Sequence, residues 1–227
     1  MSEMFDFGAG PVPAHRHAKG GGWVADTAHV DETAYVGPDA RVYGNAWVSD
    51  NARVSGSAWV SDNARVSGNA WVYGNARVTG NAQVTGSARV YGSAQVTGDA
   101  QVTGNAWVYG NAWVYGSAQV TGNAWVYGSA QVTGSAQVSD NARVSGSAQV
   151  TGNAKLAKSS DYLLIGPIGS RADFMTWTRS DNCIATGCFR GTVKEFLLAV
   201  RETHGDNEHG KVYRAAVEFI SAMEKLA

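Results

Sequence analysis

The sequence predicts an all-β solenoid of about seven 18-residue coils, followed by a small C-terminal α+β domain. Three observations predict it. A valine stands at every sixth residue from Val30 to Val150. An alanine stands two places before each of these valines, and a Gly-Asn, Gly-Ser or Asp-Asn pair usually begins two places after it. No residue is inserted or deleted across this stretch, so one structural unit repeats without interruption.

The period of six dictates how the unit folds. Alanine and valine alternate with a variable residue, so both point to the same face of a short strand. The pair that follows supplies a residue that tolerates a positive φ and turns the chain. A period of six does not fit the 3.6 residues of a helical turn, and frequent glycine disfavours a helix. Three strands and three corners therefore form one coil of a triangular prism, whose interior valine and alanine fill completely.

One coil segment reads Asn45-Ala46-Trp47-Val48-Ser49-Asp50, and this pattern resembles the hexapeptide-repeat proteins over residues 24–156. The resemblance implies a left-handed parallel β-helix, a homotrimer and, in the enzymes of that family, acyl transfer. The chain departs from the family pattern because Tyr, Ser or Thr follows the valine and glycine comes one residue later. The two ends are similar to proteins of phage and bacterial genomes, a likeness that implies no activity.

The sequence divides into three parts. Residues 1–22 are rich in glycine and proline and predict an irregular N-terminal cap, residues 23–157 are the solenoid, and residues 158–227 are the C-terminal domain.

In the C-terminal domain, the segments DYLLIG, DFMTWTR and NCIATGC predict three strands. Thr192 to Glu195 form a capping box for a helix that Gly205 ends. That helix buries Val193, Phe196, Leu197 and Val200, and a second one buries Val212, Ala215, Ala216, Phe219, Ile220 and Met223. We expect this domain to cover the open edge of the last coil.

Composition excludes several classes of protein. The 44% hydrophobic content is too high for a disordered chain, and no apolar run approaches the roughly 18 residues of a membrane span. A net charge of −1 argues against general nucleic-acid binding. The N-terminus shows no secretion signal and the two cysteines form no disulfide framework, so we expect a cytoplasmic protein, in the bacterial host if a phage encodes it. We expect no cofactor and no metal.

Stacking by 18 residues sorts the outward side chains into columns. One face, the glutamine face, holds Gln83, Gln101, Gln119 and Gln137 beside a column of Ser and Thr, which predicts a ladder of side-chain amides. Ice binding is a remote alternative for this face. A second face, the aromatic face, holds Arg53, Trp71, Arg89, Trp107, Trp125 and Arg143 beside Tyr73, Tyr91, Tyr109 and Tyr127. The third face is mixed.

The aromatic face is the main candidate site, because it exposes more aromatic surface than a monomer usually leaves open. Aromatic residues and arginine are enriched in subunit interfaces. The same residue types also bind ligands. Aromatic rings stack on planar rings while arginine neutralises a phosphate, and columns of aromatic rings can equally bind sugars. The candidate ligand-binding residues on this face are Trp71, Tyr73, Arg89, Tyr91, Trp107, Tyr109, Trp125 and Tyr127.

Polar groups near the ends are weaker candidates. His15 and His17 lack further metal ligands nearby, so they predict a solvated cap or, alternatively, an anion contact. The stretch from Gly166 to Arg171 is a tight turn between strands or an anion site built on Arg171. His204 and Asp206 could pair as a base and its partner, although the helix dipole also explains a histidine there.

These observations favour a non-enzymatic binding protein, a homo-oligomer and by resemblance a trimer, that binds or sequesters a small planar or anionic, nucleotide-like ligand. A purely structural oligomer is the first alternative. An acyltransferase is the second, but His29 is the only histidine on the coils. No extruded loop interrupts the repeat, and we expect neither a partner side chain nor a pocket at His29.

Overall fold

The fold is seen in a computed structural model, which describes residues 3–225. It confirms a parallel β-solenoid with 18-residue coils and about seven turns, followed by a small domain of strands and two helices. Three sheets of short parallel strands form the sides of a prism. The mixed face consists of Trp23–Ala25, Arg41–Val42, Trp59–Val60, Arg77–Val78, Gln95–Val96, Trp113–Val114, Gln131–Val132 and Gln149–Val150.

The other two sheets have the same construction. The glutamine face consists of His29–Val30, Trp47–Val48, Arg65–Val66, Gln83–Val84, Gln101–Val102, Gln119–Val120, Gln137–Val138 and Lys155–Leu156. The aromatic face consists of Tyr35–Val36, Arg53–Val54, Trp71–Val72, Arg89–Val90, Trp107–Val108, Trp125–Val126 and Arg143–Val144.

The core is the stack of valine and alanine that the repeat predicts. Each valine pairs with the valine 18 residues later, as Val72 does with Val90. From Ala34 to Ala154 these alanines and valines are fully buried. Only the first coil is looser, where Ala28 and Val30 are half-buried. The variable residues therefore all lie on the outer surface, in the columns expected from the 18-residue register.

The corners of the prism require a backbone with positive φ. Glycine fills most of them, as Gly104 does with φ 71°, and Asp50 and Asp62 fill two others with φ 58° and 61°. Each of these carboxylates accepts a hydrogen bond from the backbone N–H of the corner above, at 2.9 Å from Gly68 and 3.0 Å from Gly80. Aspartate thus offsets the strain of this conformation by capping the next corner.

The predicted amide ladder is in a different place. No glutamine side chain among residues 3–225 hydrogen-bonds to the glutamine of the next rung. Corner asparagines form the ladder instead, as Asn63 does by donating to Asn81 at 3.1 Å and Asn105 by donating to Asn123 at 3.1 Å. The short asparagine side chain at a fixed corner reaches the asparagine of the next rung.

The N-terminal segment is regular rather than irregular. Glu3–Asp6 and Pro11–Arg16 form an antiparallel hairpin, and its second strand pairs with Trp23–Ala25 of the mixed face. Phe5 stacks on Trp23 with ring centroids 4.3 Å apart, and Phe7 stacks on Tyr43 at 4.9 Å. Only the glycines lie in the connections of this hairpin, whereas Pro11 and Pro13 lie in its second strand, so the glycine and proline content gave the wrong expectation for the strands.

The C-terminal domain has four antiparallel strands instead of the three expected. They are Tyr162–Ile168, Asp173–Thr178, Cys183–Thr186 and Phe189–Thr192, and a short 3₁₀ turn at Ser159–Asp161 precedes them. Helix α1 (Val193–His204) begins at the predicted capping box, since the Thr192 hydroxyl accepts from the backbone N–H of Glu195. The strand Phe189–Thr192 was missed because Arg190 and Gly191 break its apolar pattern.

Helix α2 (Glu208–Lys225) buries only part of the side expected, since Ala216 and Ile220 are buried but the buried face is rotated towards Tyr213 and Val217. Gly210, Tyr213, Ala216, Val217 and Ile220 are buried against the sheet and α1. Val212, Phe219 and Met223, assigned to the core from their spacing, are 42%, 51% and 37% exposed. Two apolar stripes run along this helix, and the Tyr213 ring, in edge contact with Phe196 at 5.4 Å, selects the one that packs. Within residues 3–225, no helix is both long and apolar enough to cross a membrane.

The C-terminal domain covers the last coil through hydrogen bonds. Backbone N–H groups of the last strands, which have no further rung to bond to, donate to hydroxyl groups of the domain. The pairs are Arg143 to Ser159 at 3.1 Å, Ser145 to Tyr162 at 3.2 Å, Gln149 to Thr176 at 2.8 Å and Lys155 to Ser180 at 2.7 Å. This arrangement caps the open edge of the solenoid.

Replacing Thr176 by Val tests this cap. Thr176 is 1% exposed, so the change removes the acceptor and leaves the Gln149 N–H without a partner. We expect the free energy of unfolding to fall by about 1–3 kcal/mol in chemical denaturation. Thr103→Val, on the outer surface of the prism, is the control and is expected to change it by less than ~0.5 kcal/mol. Equal effects of the two substitutions would contradict the capping role.

Candidate functional site: the aromatic face

The parallel register of the aromatic face places its side chains in two columns. Residues 18 positions apart pair directly, as Trp71 does with Arg89 and Trp107 with Trp125. The structure thus brings together all eight candidates that the sequence assigned to this face. The first column is Tyr35, Arg53, Trp71, Arg89, Trp107, Trp125 and Arg143, and the second is Tyr73, Tyr91, Tyr109 and Tyr127.

The first column is a continuous stack of rings and guanidinium groups. The Arg89 guanidinium carbon lies 5.3 Å from the ring centroid of Trp71 and 4.9 Å from that of Trp107. Trp107 and Trp125 are parallel within 5° at 5.1 Å. Arg143 lies over Trp125 at 4.6 Å and continues the stack. Cation–π attraction therefore holds each arginine between or against indole faces.

At the other end of the column, Arg53 likewise lies between two aromatic rings. It lies 5.1 Å from the Tyr35 ring and 5.2 Å from the Trp71 ring. Arg53, Arg143 and Tyr35 were not among the candidate binding residues chosen from the sequence, although they occupy the same 18-residue register. The register alone was the signal that could have included them.

The second column is a tyrosine stack. The rings of Tyr73, Tyr91, Tyr109 and Tyr127 follow one another at 4.8, 4.9 and 5.0 Å and are parallel within 3°. The two columns also touch edge to face, as Tyr91 does with Trp107 at 6.2 Å. Each column thus supports the other, and the rings are held by neighbours on several sides.

This packing changes how a ligand can be held. Successive rings are only about 5 Å apart, so a planar ligand has no room to enter between them. The surface offers ring edges, tyrosine hydroxyls and guanidinium groups, with Trp71 still 40% exposed. A ligand must therefore lie across the columns and contact these groups from outside.

The electrostatics of the face favour anions. Its two columns contain Arg53, Arg89 and Arg143 and no carboxylate, and none of these arginines belongs to an ion pair found within residues 3–225. Burial raises the pKa of Tyr91, and the neighbouring Tyr73 and Tyr109 raise it further. Burial likewise raises the pKa of Tyr109, with a further contribution from Tyr127. These hydroxyls therefore stay protonated near neutral pH and act as hydrogen-bond donors.

The remaining candidates lie elsewhere. His15 is paired with Asp26 at 2.9 Å, and His17 is buried beside the backbone of Lys19. Both belong to the N-terminal hairpin and its connection to the first coil. Arg171 follows the strand Tyr162–Ile168 in the C-terminal domain. The sequence predicted residues 166–171 as the turn between two strands. Gly166 and Pro167 belong to the first of these strands instead, so the turn comprises only residues 169–172.

The histidines considered for catalysis also differ from expectation. His29 does have a partner, since its Nε2 lies 2.8 Å from Asp31 Oδ1. The hydrogen bond from the Asp50 N–H lowers the pKa of Asp31, and the bond to His29 lowers it further. His204 does not pair with Asp206, because Asp206 forms an ion pair with Arg214 at 3.0 Å. The His204 ring packs against Tyr213 instead, with centroids 5.6 Å apart.

Comparison with known proteins finds a similarity in the repeat region. The family model of the YdcK beta solenoid repeat matches residues 46–62, 58–74, 70–86, 100–120 and 136–154. All five stretches lie in the prism, and they agree with the β-solenoid seen in the structure. Neither a curated protein nor a solved structure was found to match the chain. The chain is thus a β-solenoid repeat protein by both its structure and its repeat pattern.

Proposed function

We propose that this protein is a non-enzymatic binding protein that holds a small anionic, nucleotide-like ligand on its aromatic face. One observation carries the proposal. Three arginines without an ion pair among the described residues stand in a column beside a column of tyrosines, and no carboxylate interrupts either column. A surface of this kind attracts anions and repels no part of a phosphate group.

The stack prepares the arginines for binding. A free arginine side chain loses conformational entropy when it engages a ligand. Here Arg89 is already held between Trp71 and Trp107, so less entropy remains to be lost. Its planar fork can donate two parallel hydrogen bonds to phosphate oxygens. The hydroxyl of Tyr91, which directly follows the strand Arg89–Val90 in the neighbouring column, can add a third donor.

Spacing limits the size of the ligand. Rungs of a β-sheet are about 4.8 Å apart, so Arg53 and Arg89, two rungs from each other, are about 10 Å apart. A single phosphate engages one arginine and the tyrosines of adjacent rungs. The planar part of the ligand then lies over the ring edges and the exposed indole of Trp71.

Self-association through the same face is the second candidate. Trp71 is 40% exposed, lies between Arg53 and Arg89 and contacts the Tyr73 ring, a combination of residues that favours burial against another protein surface. The resemblance to hexapeptide-repeat proteins favours a homotrimer, and the similarity of the ends favours a phage-type accessory protein of the bacterial cytoplasm. A trimer with ligand grooves between its prisms combines both candidates. The arginines of the aromatic face form no ion pair within residues 3–225, so they can still bind an anion in such a groove.

A calorimetric titration with adenosine monophosphate, adenosine and inorganic phosphate tests the proposal. We expect the monophosphate to bind more tightly than adenosine, because the phosphate engages Arg89. Arg89→Gln removes a charged hydrogen bond and should weaken binding of the monophosphate about 10- to 100-fold. Arg89→Lys should also weaken it, since the lysine ammonium lacks the planar fork.

Arg65→Gln provides the matched control, since Arg65 is an exposed arginine on the glutamine face. We expect it to leave the affinity for adenosine monophosphate unchanged. The proposal is wrong if no heat of binding appears for the monophosphate with the unmodified protein. Equal losses of affinity in Arg65→Gln and Arg89→Gln would also refute it.

A further inference from the structure

A cavity lies in the C-terminal domain, away from the aromatic face. It has a volume of about 380 Å³ and opens between two turns of the sheet and helix α1. Its apolar wall is formed by Phe189, Phe196 and Val200, of which Phe196 and Val200 are buried. Its mouth carries Arg171 and Asp173.

The walls of this cavity are held by packing. Phe189 and Phe196 lie 5.2 Å apart, and Tyr213 contacts Phe196 edge to face at 5.4 Å. The Tyr213 hydroxyl fills the space that a Cβ would occupy on Gly169, so the turn that carries Arg171 sits directly on this tyrosine. The cavity is therefore a built feature of the domain and not a gap between loosely placed loops.

Two opposite charges stand side by side at its mouth. Arg171 Nη1 and Asp173 Oδ2 lie 3.5 and 3.8 Å from the same point, the place that a Cβ would take on Gly187. Even so, they form no ion pair with each other, and neither belongs to an ion pair found in residues 3–225. Asp173 Oδ1 accepts a hydrogen bond from the N–H of Phe174 at 2.7 Å, which fixes this carboxylate.

We propose that this cavity binds an α-amino acid with an apolar side chain. An α-amino acid carries a carboxylate and an ammonium group close together, and the mouth presents one charge of the matching sign to each of them, both near the same point beside Gly187. The carboxylate accepts hydrogen bonds from Arg171, the ammonium donates to Asp173, and the side chain packs against Phe189, Phe196 and Val200. This site is independent of the ligand proposed for the aromatic face.

The cysteines of the domain provide a reporter for the site. Cys188 is exposed and lines the mouth, with its sulfur 3.9 Å from Arg171 Nη1. Cys183 is half-buried, and burial raises the pKa of its thiol, with the carboxylate of Asp181 contributing further. Iodoacetamide is therefore expected to alkylate Cys188 before Cys183. A Cys183→Ser background makes the reaction specific to the mouth of the cavity.

The experiment measures the alkylation rate of Cys188 by mass spectrometry in the presence of three probes. L-Phenylalanine carries both charges, 3-phenylpropionate lacks the ammonium group, and phenethylamine lacks the carboxylate. We expect L-phenylalanine to slow alkylation at millimolar concentration. Each of the other two probes should need at least a tenfold higher concentration for the same protection.

Two substitutions assign the charges. Arg171→Gln should remove the advantage of L-phenylalanine over phenethylamine, and Asp173→Asn should remove its advantage over 3-phenylpropionate. Asparagine keeps the oxygen that accepts from Phe174, so the turn should stay intact. Arg190→Gln is the control, because Arg190 is an exposed arginine on the strand Phe189–Thr192 and does not line the cavity. We expect this substitution to leave the protection unchanged.

The proposal is overturned if L-phenylalanine, L-leucine and L-tryptophan all fail to slow alkylation at about 10 mM. It is also overturned if the three phenyl probes protect equally, or if Arg171→Gln and Asp173→Asn keep full protection. Thermal unfolding of each variant separates loss of the site from loss of the domain. A failure here leaves the titration with adenosine monophosphate unaffected, because that ligand is expected on a different face.

Discussion

Replacing Val102 by Asp is expected to unfold the prism or to lower its free energy of unfolding by about 4 kcal/mol or more. Val102 is fully buried in the middle of the stack and packs between Val84 and Val120. The substitution removes apolar packing and places a carboxyl group where no side-chain partner exists. Each coil contacts only its neighbours, so a break in the middle separates two weakened halves.

The adjacent residue provides the control for this result. Gln101→Asp places the same side chain one residue away, on the outside of the same strand, where water solvates it. We expect it to change the free energy of unfolding by less than ~1 kcal/mol. Chemical denaturation followed by circular dichroism compares the two variants. Similar stabilities of Val102→Asp and Gln101→Asp would contradict the assignment of the valine column to the core.

Replacing Gly104 by Val is expected to have the second largest effect, a loss of about 3 kcal/mol. Gly104 has φ 71°, where a β-branched residue is strained. A Cβ at this position would also lie 3.0 Å from the carbonyl oxygen and 3.1 Å from the backbone nitrogen of Gly122. Equivalent corners do accommodate a Cβ at Asp50 and Asp62, so the β-branch of valine at this φ accounts for most of the expected loss.

Gly104→Asp separates the strain caused by the β-branch of valine from the cost of any Cβ at this corner. Asp50 and Asp62 occupy equivalent corners, and their carboxylates accept from the N–H of the next rung. We expect Gly104→Asp to cost less than ~1.5 kcal/mol, because the N–H of Gly122 is available to the new carboxylate. If aspartate and valine destabilise the prism equally in thermal unfolding, the corner hydrogen bond contributes nothing there.

The sequence determines the prism so closely because every level of its structure has the same period. The valine column, the alanine column and the corner residue all recur at six, and 18-residue stacking follows from three corners per coil. The ends lack such a period. In the N-terminal hairpin, the strands carry His15 and Arg16 where a core strand would carry apolar residues, so turn residues dominated the interpretation.

The sequence predicted which residues form the columns of the aromatic face, but not how their rings are oriented or which ring faces are covered. The register showed which residues lie above one another, whereas the tilt of each ring depends on its contacts. Only the structure shows that Arg89 fills the gap between Trp71 and Trp107 and that the tyrosine faces are covered. For the same reason, the position of Arg171 and Asp173 at one cavity could not be predicted from the sequence, because it depends on how the turn rests on Tyr213.

The central claim is that the aromatic face binds an anionic ligand, and native mass spectrometry of the full chain with added adenosine monophosphate tests it most directly. The measurement reports the number of subunits and the bound ligand together. We expect the unmodified protein to carry the monophosphate and the Arg53→Gln, Arg89→Gln, Arg143→Gln triple variant to lose it at unchanged subunit number. An oligomer that carries no monophosphate and dissociates when Trp107 and Tyr109 are replaced by Glu would contradict the claim, because the face would then be occupied by its own subunits.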